Sequence, residues 1–213
     1  MIDPDDPPEL SPDRVEKEIR VASGFSDLPI DVERVGTFTF AAGIADRFGS
    51  GSAFLIGDAA HRVTPRGGTG MNIAIHDGFD LGWKLAFVLN RWTSETLLQS
   101  YERERRPVIE HNLLRSVDPN GTHRAVGEGL DADLGGRLRH VWLADGVSTL
   151  DKIGPGLTRF GEAGSLRSGP SRIPLTNVEL SPIAARSLGV PAGGTLVVRP
   201  DGRVWSAASP AFE

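Results

Sequence analysis

Apolar positions along the chain fall into blocks whose spacing predicts a mixture of helices and short strands. Ser11-Pro12-Asp13 opens a helix, with Ser11 as the N-cap, Pro12 in the first turn and Asp13 favouring the dipole, and Gly24 ends it. From Ile30 to Phe40 apolar and polar residues partly alternate, and Thr37 and Thr39 add β propensity, so an antiparallel strand is expected there. Ala53-Phe54-Leu55-Ile56 is an unbroken apolar run stopped by Gly57, the pattern of a strand buried on both faces. Met71 to Asn90 lacks proline and is apolar nearly all round, which predicts a buried helix, with Asp80 and Lys84 able to pair one turn apart. Ser94 caps a second helix that runs to about Arg115, and Pro107 bends it or ends a first segment. Its arginine-glutamate cluster is expected to be a solvated face with surface ion pairs.

After this helix the pattern changes. Asp118 to Gly136 is rich in glycine and aspartate and is expected to be a linker or long loop, and Met1 to Pro8, with interleaved aspartate and proline, a disordered or extended leader. Short strand-like runs follow at Arg139 to Leu143, Val147 to Leu150, Leu157 to Phe160, Thr195 to Arg199 and Val204 to Ser206, with one helical stretch at Pro182 to Leu188. Pro200-Asp201-Gly202 between two of those runs is a strong hairpin turn.

The chemistry concentrates where the apolar run meets the first long helix. Asp58 lies just past the strand's carboxyl end, which in open α/β sheets is where ligands gather. Pro65, Gly67, Gly68 and Gly70 form a loop that is rigid at one point and bare of side chains at three, so backbone can approach a flat or anionic ligand closely. That loop delivers the ligand to a helix start carrying roughly half a positive charge. Asp58 can accept hydrogen bonds from ligand hydroxyls or can cap the next turn. Gly70, Met71 and Asn72 offer backbone amides to an anionic edge or form a plain N-cap. His61 with Asp58 lacks a third and fourth ligand at suitable spacing, so zinc is rejected and His61 is taken as a structural hydrogen-bonding residue. No Gly-Lys-Ser/Thr follows the glycines, which excludes a nucleotide-hydrolase phosphate loop. For His76 and Asp77, on the helix, packing or capping is the default role.

The run Gly57-Asp58-Ala59-Ala60-His61, then Pro65, Gly67-Gly68, Gly70-Met71-Asn72, Asp77 and Leu81-Gly82-Trp83-Lys84-Leu85-Ala86, resembles the second flavin-binding motif of the aromatic-ring hydroxylases. These are single-component FAD-dependent monooxygenases of the para-hydroxybenzoate and phenol hydroxylase type. The resemblance continues through Tyr101-Glu102-Arg103-Glu104-Arg105-Arg106-Pro107 and towards the C-terminus. It implies an α/β fold: an incomplete FAD-binding domain of the para-hydroxybenzoate hydroxylase kind, followed by a small thioredoxin-like domain. The implied divisions are a remnant of the substrate domain with its return connection at 1–52, the last part of the FAD-binding domain at 53–117, the linker at 118–136 and the thioredoxin-like domain at 137–213.

The same resemblance implies FAD as cofactor, NADPH or NADH as reductant, molecular oxygen as co-substrate and a small phenolic or polyketide-like aromatic substrate. Asp58 would hold the ribityl chain, Gly57, Gly67 and Gly68 would bind the cofactor through closely approaching backbone, and Gly70, Met71 and Asn72 would hold the ring edge. Pro65 would lie beside the ring at the oxygen-reacting face, with a rigid turn as its alternative role; Arg66 has no assigned role. One departure stands out: no strand followed by G-x-G-x-x-G and an acidic residue occurs, although that is how a dinucleotide fold cradles the pyrophosphate. The chain therefore resembles the latter part of a hydroxylase, and a truncated non-catalytic fragment or half of a split enzyme is the alternative. A homodimer or a complementing N-terminal half is the expected protein partner.

Composition narrows the field further. A net charge of −5 and a pI near 5.6 give no basic field for nucleic acid or anionic lipid. No apolar run approaches the roughly 20 residues that span a bilayer, and the N-terminus is acidic, so a cytoplasmic location is expected. The absence of cysteine excludes disulfides, thiolate catalysis and any dithiol redox role for the C-terminal domain, leaving it a packing or dimer-supporting part.

Overall fold

The computed structural model describes residues 11–36, 38–65, 68–118, 136–144, 146–166 and 172–205. Met1–Phe40 and Ala41–Glu213 form separate compact units. In the first, helix α1 (Pro12–Ser23) forms as its caps dictate: the Ser11 hydroxyl accepts from Arg14 N–H at 3.4 Å, and Gly24 closes the end at φ 77°. The strand expected between Ile30 and Phe40 is absent among the described residues. A strand exists only as part of a ladder. Here Phe38 and Phe40 remain exposed, stacked edge to face at 4.8 Å. The leader at Met1 to Pro8 and nearly all of the Asp118 to Gly136 linker fall outside the described residues.

The second unit begins with four two-residue strands. β1 (Gly43–Ile44) pairs antiparallel with β4 (His61–Arg62), and β2 (Gly49–Ser50) with β3 (Ala53–Phe54). β3 is the beginning of the run expected to be buried on both faces. It has one ladder partner among the described residues, and Leu55 and Ile56 beyond it are 40% and 43% exposed. Helix α2 (Gly70–Leu89) follows, then a 3₁₀ turn over Glu95–Gln99 and helix α3 (Ser100–Val117), which runs through Pro107.

α2 is buried on one side only, contrary to its nearly continuous apolar sequence. Ile73, Asp77, Asp80, Leu81, Trp83, Lys84 and Phe87 face inward, while Met71, Ile75, Phe79 and Leu89 face outward. Ile73 and Leu81 pack with Phe48, Ala60, Tyr101 and Ile109 into one core. Trp83 and Phe87 pack with Leu97, Leu157 and Ile173 into a second, so apolar contact runs on into the C-terminal sheet.

That sheet is three-stranded in the order β8-β7-β9: β7 (Leu157–Gly161) lies parallel to β8 (Leu175–Glu179) and antiparallel to β9 (Thr195–Val198). β5 (Trp142–Ala144) and β6 (Val147–Ser148) form a separate hairpin. Helix α4 (Pro182–Leu188) has the expected limits because Ser181 caps it and Gly189 closes it at φ 74°. The turn at Pro200-Asp201-Gly202 is also as expected, with Gly202 N–H donating to Arg199 C=O at 2.9 Å and Val198 bridged to Val204. No helix among the described residues is long and apolar enough to cross a membrane.

Candidate functional site

Asp58 sits in a 3₁₀ turn, Gly57–Ala59, between β3 and β4. The turn depends on Gly57, whose φ of 54° lies in the left-handed region, and a Cβ there would stand 3.1 Å from Ala74 Cβ on α2. Ala60 N–H closes the turn onto Gly57 C=O at 2.8 Å. The Asp58 carboxylate is exposed and lines a cavity of about 370 Å³ with Gly43, Ile44, Ala45, His61 and Arg62.

Asp77 lies beneath the turn. Its carboxylate is fully buried and accepts from Gly57 N–H at 3.2 Å and His61 Nε2 at 2.5 Å on one oxygen, and from Arg105 Nε at 2.8 Å on the other. Arg105 also reaches Ile73 C=O at 3.5 Å. Burial opposes the charge on Asp77, but the hydrogen bonds from His61 and Arg105 outweigh it and hold the carboxyl below its ordinary range. Tyr101 adds a fourth tie from α3, donating its hydroxyl to Leu55 C=O at 2.9 Å, two residues before the turn. Burial, followed by the charge of Asp77, raises the Tyr101 phenol above its ordinary range, so it stays a donor.

Ile73 N–H donates to Thr69 C=O at 2.9 Å, and among the described residues the amides of Gly70, Met71 and Asn72 have no acceptor, leaving them as the helix's open donors there. Among the described residues no side chain caps this end. Gly70 is closely approached: a Cβ there would stand 3.1 Å from Val63 Cγ2. Pro65 is exposed, and its carbonyl accepts from Gly68 N–H at 3.0 Å, with Gly68 at φ 63°. Arg66 and Gly67 lie outside the described residues. The protein thus presents an exposed carboxylate and an open helix start, both anchored to α2, with a buried ion cluster behind them.

Of the residues named from sequence, Asp58 is exposed at its turn, Gly57 is buried under it, and Met71 and Asn72 are exposed on the first turn of α2. His61 is the structural hydrogen-bonding residue expected. Asp77 is more than a packing residue, and Arg105 is not on a solvated face: it is fully buried. One arginine among several in a charged helix gives no sign by its residue type that it turns inward. Spacing offers a hint, since Tyr101, Arg105, Val108, Ile109 and Asn112 trace one helical face and all are buried.

A second buried cluster lies further along α2. Lys84 Nζ is 2.7 Å from Asp80 and 3.4 Å from Glu104, and Arg199 is 2.8 Å from Glu104 and paired with Asp201. Asp80, Glu104 and Asp201 converge closely enough for a metal, but Lys84, Arg199 and Arg203, the last 3.3 Å from Glu104, already balance them. Burial pushes the Asp80 carboxyl up to about 6 despite Lys84 beside it.

Residues 3–116 match the FAD binding domain family, more than half of the 213-residue chain. The chain belongs to that family. This FAD-binding domain chain is 27% identical to a putative polyketide hydroxylase of Streptomyces halstedii over 95% of itself and 49% of that protein. It is 44% identical to the 4-methyl-5-nitrocatechol 5-monooxygenase of a Burkholderia species over 42% of itself and 16% of that enzyme. Among solved structures, aklavinone-11 hydroxylase in ternary complex with FAD and aklavinone matches 95% of the chain with a TM-score of 0.70 and 27% identity, covering 49% of that enzyme. RebC-10x matches all of it at 0.72 and 27% identity, covering 50% of that protein. The chain spans about half the length, or less, of the proteins it matches.

Proposed function

We propose that this chain is the FAD-binding part of an NAD(P)H-dependent flavoprotein monooxygenase that hydroxylates a phenolic or polyketide-like aromatic substrate. The observation that carries the reading is the exposed Asp58 carboxylate, held over the buried Asp77 cluster on the helix whose first amides are open. In it Asp58 holds the ribityl hydroxyls, the amides of Gly70, Met71 and Asn72 hold the edge of the isoalloxazine, and Pro65 borders the ring face. An ionised carboxylate only accepts hydrogen bonds and sugar hydroxyls donate, so the pairing fits. A bare helix start likewise suits an electron-rich ring edge. FAD, when bound, carries electrons from NADPH or NADH to molecular oxygen for the hydroxylation. Support also comes from the family match and from the aklavinone-11 hydroxylase complex, which holds FAD and aklavinone.

The C-terminal part is read as thioredoxin-like in architecture, on its mixed three-stranded sheet with α4 between β8 and β9, and as a packing part, since the chain has no cysteine. The cysteine-free composition and acidic pI suit a cytoplasmic protein.

Titrating the purified chain with FAD tests the reading. Quenched flavin fluorescence and a raised melting temperature are expected, and Asp58→Ala should weaken both. A protein that FAD neither colours nor stabilises would refute it. Oxidation of NADPH or NADH stimulated by a phenol tests turnover. A second reading, a non-catalytic part that works with a complementing half, is favoured by the outward apolar row Met71, Ile75 and Phe79 on α2, exposed at 74%, 61% and 52%. It predicts FAD binding without turnover by this chain alone.

A further inference from the structure

Asp58 is flanked by two residues tied to the same atom. Gly57, immediately before it, donates its N–H to Asp77 Oδ2 at 3.2 Å, and His61, three residues after it, places Nε2 on that oxygen at 2.5 Å. The other Asp77 oxygen is held by Arg105 Nε at 2.8 Å, and Arg105 reaches Ile73 C=O in the first turn of α2. Asp77 and Arg105 are fully buried and His61 is 3% exposed. A buried charged trio contributes little stability beyond what well-packed apolar side chains would give. What apolar side chains cannot do is accept the Gly57 N–H and fix the turn to α2 at that point.

We propose that Asp77 is a positioning residue for flavin binding: clamped by Arg105 and His61, it sets where the Asp58 carboxylate stands relative to the open amides of α2. The inference rests on the FAD reading of Asp58. Asp77 acts through the turn and touches no cofactor. Its loss therefore disables the Asp58 contact and leaves the remaining contacts as they were. An asparagine at 77 cannot serve, because its amide nitrogen must face either Arg105 or the Gly57 and His61 donors. A glutamine at 61 can serve in part, because its side-chain amide keeps a donor near the Nε2 position.

The test is a double-mutant cycle on FAD affinity, read by flavin fluorescence in the full chain at 10 °C, where circular dichroism verifies that each variant is folded. Asp58→Asn and Asp77→Asn are each expected to weaken FAD about tenfold, and the double variant to be no weaker than the weaker single. His61→Ala is expected to weaken FAD about tenfold and His61→Gln to stay within about threefold of the parent. Multiplying effects in the cycle, or His61→Ala binding like the parent, would overturn the inference while leaving the FAD reading intact. If Asp77→Asn fails to fold, the cycle is run with His61→Ala against Asp58→Asn, with the same two outcomes. A parent chain that does not bind FAD, or one indifferent to Asp58→Asn, sinks the FAD reading and this inference with it.

Discussion

Asp77 and Asp80 lie one turn apart on the buried side of α2, and their carboxyls shift in opposite directions. Asp77 meets a guanidinium, an imidazole and a backbone amide, which outweigh its burial. Asp80 meets Lys84 at 2.7 Å, yet burial dominates and Glu104 and Asp201 add repulsion, so its carboxyl rises to about 6. Because the folded Asp80 binds its proton more readily than the unfolded chain does, its contribution to stability is full at low pH and is lost as pH rises through about 6. Asp77, lowered, contributes above the ordinary carboxylate range and loses that contribution as pH falls below about 4. Urea unfolding from pH 7 down to pH 3 checks both signs. Relative to Asp80→Asn, the parent should gain stability between pH 7 and 4.5; relative to Asp77→Asn, it should lose stability only below about pH 4.

Much of this arrangement was legible in the sequence, and what was not has physical reasons. The caps at Ser11, Gly24, Ser181 and Gly189 depend on local chemistry, and α1 and α4 end where those residues dictate. The turn at Pro200-Asp201-Gly202 is local too. The strand expected near Phe38, and the double burial expected for Leu55 and Ile56, depend instead on partner strands, which a local pattern does not reveal. The same holds for α2: an apolar sequence shows that a face can be buried, and only contacts decide that Ile73 is inside and Ile75 outside. β8 carries little strand signal because Leu175–Glu179 places Thr176, Asn177 and Glu179 on exposed positions of an edge strand. At the site, Asp58 and the glycines were visible as a motif. Arg105 was not, since its role is to meet a carboxylate 28 residues away.

Gly57→Ala should damage both fold and site. The left-handed backbone costs a β-carbon residue about 1–2 kcal/mol. The new Cβ would also press on Ala74 at 3.1 Å, displacing the turn that carries Asp58. The expected result is a loss of about 1–2 kcal/mol in urea unfolding, together with weaker FAD binding in protein that is still folded. Gly78→Ala on α2 is the control: a Cβ there meets nothing within 4 Å, and a helical alanine should stabilise by about 0.5–1 kcal/mol. Equal effects of the two substitutions would count against the role given to the turn.

Arg199 joins parts of the chain that are far apart in sequence. From the end of β9 its guanidinium reaches Glu104 on α3 at 2.8 Å and Asp80 on α2 at 3.5 Å, pairs with Asp201, and lies 5.0 Å from the Trp83 ring centroid. Burial opposes the charge on Arg199, but the hydrogen bonds its guanidinium donates to Asp201 and Glu104 outweigh it and raise Arg199 above its ordinary range, so its charge is permanent. Removing it leaves three carboxylates gathered around Lys84 and Arg203, with like charges facing one another. Arg199→Met is expected to cost about 3 kcal/mol in urea unfolding, because the charges left behind are largely buried. Arg199→Lys should recover only part of that, since one ammonium lacks the planar fork that serves several carboxylates at once. Glu104→Gln in the Arg199→Met background should restore stability by relieving the surplus negative charge. If the double variant is no more stable than Arg199→Met alone, charge balance is not what ties β9 to α2 and α3, and the apolar contacts of Trp83 and Phe87 with Leu157 and Ile173 carry that junction instead.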